Sequence, residues 1–181
     1  MAESMKGLKR THRCTELSAA NVGEEVTVMG WVQKNRNKGG IIFVDLRDRS
    51  GILQIIFEQG ADLSRAVDAE NFAKAETLRS EFVIAVVGKV ERREGNTNAA
   101  MKTGDIEVRA TQLRILSESE TPPFPVEADS KTKEELRLKY RYLDLRRPDL
   151  QEKIMMRSRV AAKIREFMTN EGFLEIETPI L

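Results

Sequence analysis

Apolar and polar residues alternate along five stretches of the chain, and a period of two is typical of half-buried β-strands. In the first stretch Val26, Val28 and Val32 fall on one face, with Thr27 and Gln33 on the other. Glycine-containing turns separate the first three stretches. The strands predicted in this way are residues 24–33, 41–47, 52–57, 81–93 and 105–116.

A helix is predicted between the third and fourth strands, over residues 61–78, which are rich in alanine. Three strands, a helix and two further strands are the order of a five-stranded Greek-key barrel, the OB-fold, which binds oligonucleotides across its second and third strands. An aligned β-sandwich also needs several strands, but it does not account for the helix. Residues 1–116 are therefore predicted to form a barrel, with residues 1–12 as a frayed basic leader.

The chain changes character after residue 116. Residues 117–131 form a predicted hinge, because three prolines within residues 122–125 favour an extended, stiff segment. A second unit, residues 132–181, then begins. One long helix and half a strand do not bury a core of their own, so we expect this unit to be a truncated piece of a longer protein.

Two helices and a strand are predicted in the second unit. Thr132 and Glu135 fit a capping box, which predicts a short helix starting there. Pro148 suits the first turn of a long helix that runs to about Asn170 with apolar residues at three- and four-residue spacings. Residues 173–178 then predict the start of a strand. The fold class is mainly β with α.

Composition excludes several classes of site. Net charge is +1, so no global excess marks a nucleic-acid binder, although residues 131–165 carry 12 Lys or Arg against 5 Asp or Glu, a local excess of 12 − 5 = +7. One cysteine and one histidine leave no material for a disulfide, a cysteine zinc site or a histidine-rich metal site. The chain has no apolar run of about 20 residues and no signal-peptide core, so we expect a cytoplasmic protein.

Polar chemistry concentrates on the predicted second and third strands and the turn before them. Residues 34–37 are basic or amide-bearing, Phe43 lies on a polar strand face with Asp45, and Gln54 is set between two isoleucines. Cations hold phosphates, an exposed ring stacks a base, and an amide reads a base edge. This composition indicates a surface that binds single-stranded nucleic acid.

Five segments of the chain form a recognisable set: residues 10–17, 30–32, 42–51, 104–108 and 139–148. Together they resemble the corresponding segments of bacterial aspartyl-tRNA synthetases. The run from Lys139 to Arg146 is typical of the aspartyl, asparaginyl and lysyl subgroup. Phe167 followed by residues 172–179 is similar to motif 1 of class II synthetases, a dimer-interface element.

The resemblance implies an OB-fold anticodon-binding domain, a hinge and the start of a class II catalytic domain. The full-length enzyme would be a homodimer that activates aspartate with ATP and Mg²⁺ and transfers it to the 3′ end of aspartate tRNA, and possibly of asparagine tRNA as well. Motifs 2 and 3 would lie beyond Leu181. We therefore expect this chain to be inactive alone and assign it no catalytic residue, metal ligand or cofactor.

The resemblance also implies roles for individual residues. Phe43 would stack an anticodon base, Gln54 and Glu107 would read base edges, and Arg36 would contact phosphate or base. Weaker candidates for backbone contact are Arg92 and Arg93, and the dimer-interface residues would be Phe167, Gly172, Phe173 and Pro179. The segment 34–37 reads Lys-Asn-Arg-Asn, where the family commonly has Arg-Arg-Arg-Asp.

Plainer interpretations of the same residues stay open at this point. Phe43 could be a core side chain at a barrel end, Gln54 a surface strand residue, and Glu107 half of a cross-strand pair with Arg or Lys. The chain could instead belong to an asparaginyl- or lysyl-tRNA synthetase. It could also be a non-enzymatic OB module for single-stranded nucleic acid, or a barrel that mediates protein association.

Overall fold

The computed structural model describes residues 2–60, 67–93, 95 and 97–179. The chain divides into two compact units, Met1–Pro122 and Pro123–Leu181. The domain bounds drawn from the sequence stay a prediction, because compactness alone does not set where a hinge begins and ends.

Five strands in the first unit close into a barrel in the order β1–β2–β3–β5–β4. This closed barrel confirms the predicted OB-fold. Its elements are β1 (Glu25–Asn37), β2 (Ile41–Asp48), β3 (Gly51–Glu58), α1 (Ala69–Thr77), β4 (Val83–Arg92) and β5 (Ile106–Ser117), preceded by short 3₁₀ helices at Cys14–Glu16 and Ala19–Asn21.

Aliphatic side chains fill the barrel, as the alternating pattern predicts. The inward-facing residues that are fully buried include Val26, Val28, Val32, Ile42, Val44, Leu46, Leu53, Ile55, Phe57, Ile84, Val86, Ile106 and Val108. Helix α1 packs Phe72 and Ala75 against this core. Because the inward positions are apolar, the alternate positions on β2, β3 and β5 present their polar side chains on the outside.

Helix α1 is shorter than predicted in the part that the structure describes. It begins after Asp68, whose carboxylate accepts a hydrogen bond from the Asn71 backbone N–H at 2.7 Å as an N-cap. Residues 61–66 of the predicted helix lie outside the described residues. The amide of Asn71 also accepts from the Leu113 N–H at 2.9 Å, which ties α1 to β5.

The expectation of a frayed leader is wrong for the described residues 2–12. The Glu3 N–H donates to the Ile115 carbonyl at 2.8 Å, and the Ile115 N–H donates back to the Glu3 carboxylate at 2.7 Å. Farther along, the Thr11 N–H donates to the Thr27 carbonyl at 3.0 Å. Unpaired backbone groups on β5 and β1 therefore bind the leader, a role that its polar composition did not indicate.

The second unit contains three helices, α2 (Glu134–Lys139), α3 (Arg141–Asp144) and α4 (Pro148–Asn170). The bounds of α4 are those predicted from its apolar spacing and Pro148. The predicted capping box is wrong: the N-cap of α2 is Lys133, and the Thr132 hydroxyl lies 2.7 Å from that of Ser130 instead. None of the described helices has a stretch long and apolar enough to cross a membrane.

The predicted strand over residues 173–178 is wrong. Residues 173–179 form no regular structure, and Phe173, Leu174 and Ile176 are exposed. A strand needs a neighbour for its backbone hydrogen bonds, and the described part of this unit offers none. The apolar residues exposed on α4 are Ile154, Met155, Met156, Val160, Ile164, Phe167 and Met168.

Candidate nucleic-acid interface

A cleft of about 360 Å³ opens on the outside of the barrel. It is lined by Arg36, Lys38, Ile41, Phe43, Gln54, Ile56, Glu58, Arg93, Glu107 and Arg109. Five of the six nucleic-acid candidates chosen from the sequence are therefore brought together. The sixth, Arg92, is exposed at the end of β4 and is not part of this lining.

Strand register explains why these residues converge. Phe43 on β2 pairs with Ile56 on β3, and Asp45 pairs with Gln54. Strand β5 joins β3 in parallel, with Ile56 opposite Arg109. Since alternate residues of a strand share a face, one continuous outer surface of mixed polar and apolar side chains runs from β2 across β3 to β5.

Phe43 provides the aromatic surface of the cleft. Its ring is half-buried, and the ammonium of Lys38 lies 5.9 Å from the ring centroid, within the range of a cation–π contact. The neighbouring Arg36 forms an ion pair with Asp45 at 2.7 Å, and 48% of its side chain is exposed. An exposed pair of this kind is worth only about 0–1 kcal/mol, so Arg36 is able to exchange Asp45 for a phosphate.

Gln54 and Glu107 form a buried pair at the base of the cleft. Nε2 of Gln54 donates to Oε2 of Glu107 at 3.0 Å, and the two residues are 9% and 3% exposed. Burial raises the pKa of Glu107, although the hydrogen bond from Gln54 and the charges of Arg93 and Arg109 act in the opposite direction. The carboxylate can accept a hydrogen bond from a base, and the Gln54 amide oxygen is a second acceptor.

Arg109 is a cleft residue that sequence reasoning missed. Its guanidinium forms ion pairs with Glu58 on β3 and, at 2.9 Å, with Glu91 on β4. Arg109 lies on the same face of β5 as Glu107, because the two residues are two positions apart. This alternation was the feature of the sequence that could have identified Arg109 as a cleft residue. Its partners were not predictable, because they lie on strands that are distant along the chain.

Arg93 lies near Glu107, and its Nε is buried without a hydrogen-bond partner among the described residues. An unpaired buried donor costs free energy, so a ligand acceptor here would be favoured. A phosphate oxygen or a base carbonyl is able to supply this acceptor.

The segment 34–37, in which the chain departs from the resembled pattern, has a partly structural role. The Asn35 amide donates to the Leu78 carbonyl at 3.0 Å, just after α1, and the Asn37 amide donates to Glu76 at 3.4 Å. These two asparagines therefore link the outer end of β1 to α1. Of the residues 34–37, Arg36 is the one that lines the cleft.

The four predicted dimer-interface residues lie in the second unit, at the end of α4 and after it. Gly172 ends the helix with φ +85°, and the Gly172 and Phe173 N–H groups donate to Thr169 and Met168 carbonyls in a Schellman arrangement. Phe167, Phe173 and Pro179 are exposed. Exposure of this kind is compatible with an interface, and the role itself stays a prediction.

Within the described ranges, no three His, Cys, Asp or Glu side chains come together as metal ligands would. No step of adenylate chemistry is assigned to this chain.

Comparison with known proteins agrees with this geometry. The model of the OB-fold nucleic acid binding domain matches residues 26–116, and that of class II tRNA synthetases (D, K and N) matches residues 133–181. An aspartate–tRNA(Asp/Asn) ligase of Lachnoclostridium phytofermentans is 74% identical over the whole chain, and an aspartate–tRNA ligase of Agathobacter rectalis is 66% identical. The chain belongs to the bacterial aspartyl-tRNA synthetase family.

Both relatives are much longer than this chain, which spans 29% of the length of each of them. An aspartyl-tRNA synthetase structure from Entamoeba histolytica superposes with a TM-score of 0.84 at 25% identity, covering 96% of this chain and 40% of that one. Family membership confirms the resemblance drawn from the sequence and favours it over the asparaginyl, lysyl and non-enzymatic alternatives.

Proposed function

We propose that this chain is the anticodon-binding part of an aspartate–tRNA ligase. The observation that carries the proposal is the cleft, in which a half-buried ring, a buried amide–carboxylate pair and exposed cations meet on one side of an OB barrel. Single-stranded RNA is recognised by stacking, base-edge hydrogen bonds and phosphate contacts, and the cleft offers all three.

Each group has a role that its chemistry supports. The ring of Phe43 stacks an unpaired base of the anticodon loop. Gln54 and Glu107 form hydrogen bonds with base edges, because a carboxylate near RNA is unfavourable unless it accepts an N–H. Arg36 and Arg93 hold the backbone. Arg92, outside the cleft lining, would contribute only long-range attraction.

The activity of the whole protein is part of the same proposal. The longer protein activates aspartate with ATP and Mg²⁺ and transfers it to the 3′ end of tRNA, acts in the cytoplasm and dimerises through the segment that includes Phe167, Gly172, Phe173 and Pro179. The relative from L. phytofermentans is named for both aspartate and asparagine tRNA. We therefore include asparagine tRNA among the partners. This chain alone is expected to charge neither.

The test is binding of the 181-residue chain to aspartate tRNA at moderate, constant salt. Asparagine tRNA and an aspartate tRNA with a replaced anticodon are measured beside it. The proposal predicts that the replaced anticodon weakens binding by about 5-fold or more, since a lost base contact costs about 1–3 kcal/mol. Equal binding of all three tRNAs would indicate a sequence-tolerant OB module, and no binding would indicate a barrel for protein association.

A further inference from the structure

Arg109 is the most completely buried cation of the cleft, with 7% of its side chain exposed. Its guanidinium already binds two carboxylates: Nη1 donates to Glu58 and Nε donates to Glu91. A guanidinium that neutralises two carboxylates has little charge left for a phosphate. Its position inside an RNA-binding cleft therefore calls for a role other than phosphate binding.

The three strands that meet at Arg109 suggest this role. Strands β2 and β3 pair along their whole lengths, whereas β3 and β5 pair only at Ile55–Val108 and Ile56–Arg109. This short parallel seam is where the barrel closes. The Gln54–Glu107 hydrogen bond crosses the same seam, so the spacing of the proposed base-reading pair depends on how firmly the seam is held.

Arg109 lies at the seam and joins its two sides. Its backbone belongs to β5, one ion-pair partner is on β3, and the other is on β4. Arg93 also acts on Glu107, but loss of Arg109 would leave an excess of negative charge where Glu58, Glu91 and Glu107 lie on adjacent strands. Their mutual repulsion would favour separation of β3 from β5.

We propose that Arg109 is a positioning residue of the anticodon site, which holds β3, β4 and β5 together so that Gln54 and Glu107 stay in register for base readout. This inference rests on the proposed function of the cleft. It assigns Arg109 to sequence discrimination rather than to affinity for the RNA backbone.

The experiment compares the full chain with an Arg109→Met variant. Two quantities are measured: the ratio of Kd values for replaced-anticodon and native aspartate tRNA, and the slope of log Kd against log salt. Arg109→Met is expected to lower the discrimination ratio by about 5-fold or more, the size of one lost base contact. The salt slope should stay unchanged. A phosphate ligand would instead lower the slope by about 0.7, the value for one contact to a single strand.

Matched variants separate the possible outcomes. Arg114→Met makes the same change on the same strand, at an arginine that contacts the Ser4 and Lys6 carbonyls outside the cleft, and should leave discrimination unchanged. In a Gln54→Ala background, Arg109→Met should lower discrimination by less than it does in the original chain, because part of its effect acts through Gln54. An additive loss would overturn the proposal.

Folding is monitored by the fluorescence of Trp31, the single tryptophan of the chain. If Arg109→Met does not fold, the same measurement is made on Glu91→Gln, which removes one of the two carboxylates that Arg109 binds and keeps the arginine. It should reduce discrimination in the same direction, and unchanged discrimination overturns the proposal.

If the unmodified chain itself does not discriminate, the proposed function fails and this inference with it. If the unmodified chain discriminates and Arg109→Met does so equally well, only this inference fails.

Discussion

Phe43→Ala is the substitution that most cleanly separates RNA binding from barrel stability. Phe43 lies outside the barrel, so its truncation opens no cavity in the core. Stacking a base on an aromatic side chain is worth about 1–3 kcal/mol. Because the Lys38 ammonium lies over the ring at 5.9 Å, we expect a single ring face to be used and a loss of about 1–2 kcal/mol. This loss raises Kd by about 5- to 30-fold.

The assay is fluorescence anisotropy of a labelled anticodon stem–loop RNA, titrated with the 181-residue chain at constant salt. Phe57→Ala is the matched control, because Phe57 lies on the neighbouring strand but is fully buried in the barrel. Truncating a core phenylalanine costs about 3–5 kcal/mol of unfolding free energy. Urea unfolding followed by Trp31 fluorescence should therefore show a large loss for Phe57→Ala and a much smaller one for Phe43→Ala.

Two results would refute this reasoning. Unchanged RNA affinity in Phe43→Ala would mean that no base stacks on the ring. A loss of affinity that matches an equally large loss of barrel stability would mean that Phe43 acts by supporting the fold.

Three further predictions concern charged groups of the barrel. Discrimination between native and replaced anticodons should fall as the pH is lowered through the raised pKa of Glu107, because protonation turns one carboxylate oxygen from an acceptor into a donor; Glu107→Gln should abolish this pH dependence in the binding titration. Arg47→Met removes the cation that lies 2.8 Å from the buried Glu81 carboxylate, and it should lower the unfolding free energy in urea by about 3–5 kcal/mol. Asp48→Asn should lower it by about 1–3 kcal/mol at pH 7, since the Asp48 carboxylate accepts several backbone and side-chain hydrogen bonds.

The pH dependence of the Asp48 effect follows from its lowered pKa. Burial alone would raise this pKa, but hydrogen bonds from Ser50, Cys14 and Gly51 outweigh burial. A carboxyl whose folded pKa is lowered stabilises the fold fully above the unfolded value, about 3.9, and loses this stabilisation as the pH falls through the folded value. The difference between the original chain and Asp48→Asn should therefore shrink in acid, and a constant difference would contradict the assignment.

Patterns local to the sequence predicted the elements that depend on local physics. Alternation placed Phe43 and Gln54 on the outer face, and the apolar spacing behind Pro148 predicted a helix to about Asn170, where α4 ends. The end of β1 was placed too early, at residue 33, because residues 34–37 are polar. They stay in the strand since β2 supplies hydrogen-bond partners beyond a register shift between Val32 and Lys34.

Features that depend on contacts between distant segments were not predictable. The Gln54–Glu107 and Arg109–Glu58 pairs join residues more than 50 positions apart on strands that are not consecutive. Composition alone does not reveal such pairs, because a charged strand residue usually faces solvent. The prediction of a strand over residues 173–178 is wrong for a related reason: a sequence with strand propensity forms no strand unless a neighbouring strand pairs with it.

The most direct test of the central claim is chemical-shift mapping of the isotope-labelled chain on addition of an aspartate anticodon stem–loop RNA. The account predicts that the amides of Phe43, Gln54 and Glu107 and the side-chain amide of Gln54 shift with one common Kd, and that a stem–loop with replaced anticodon bases shifts them much less. Shifts confined to residues outside the cleft, or equal shifts with both RNAs, would contradict the assignment of this cleft as the anticodon reader.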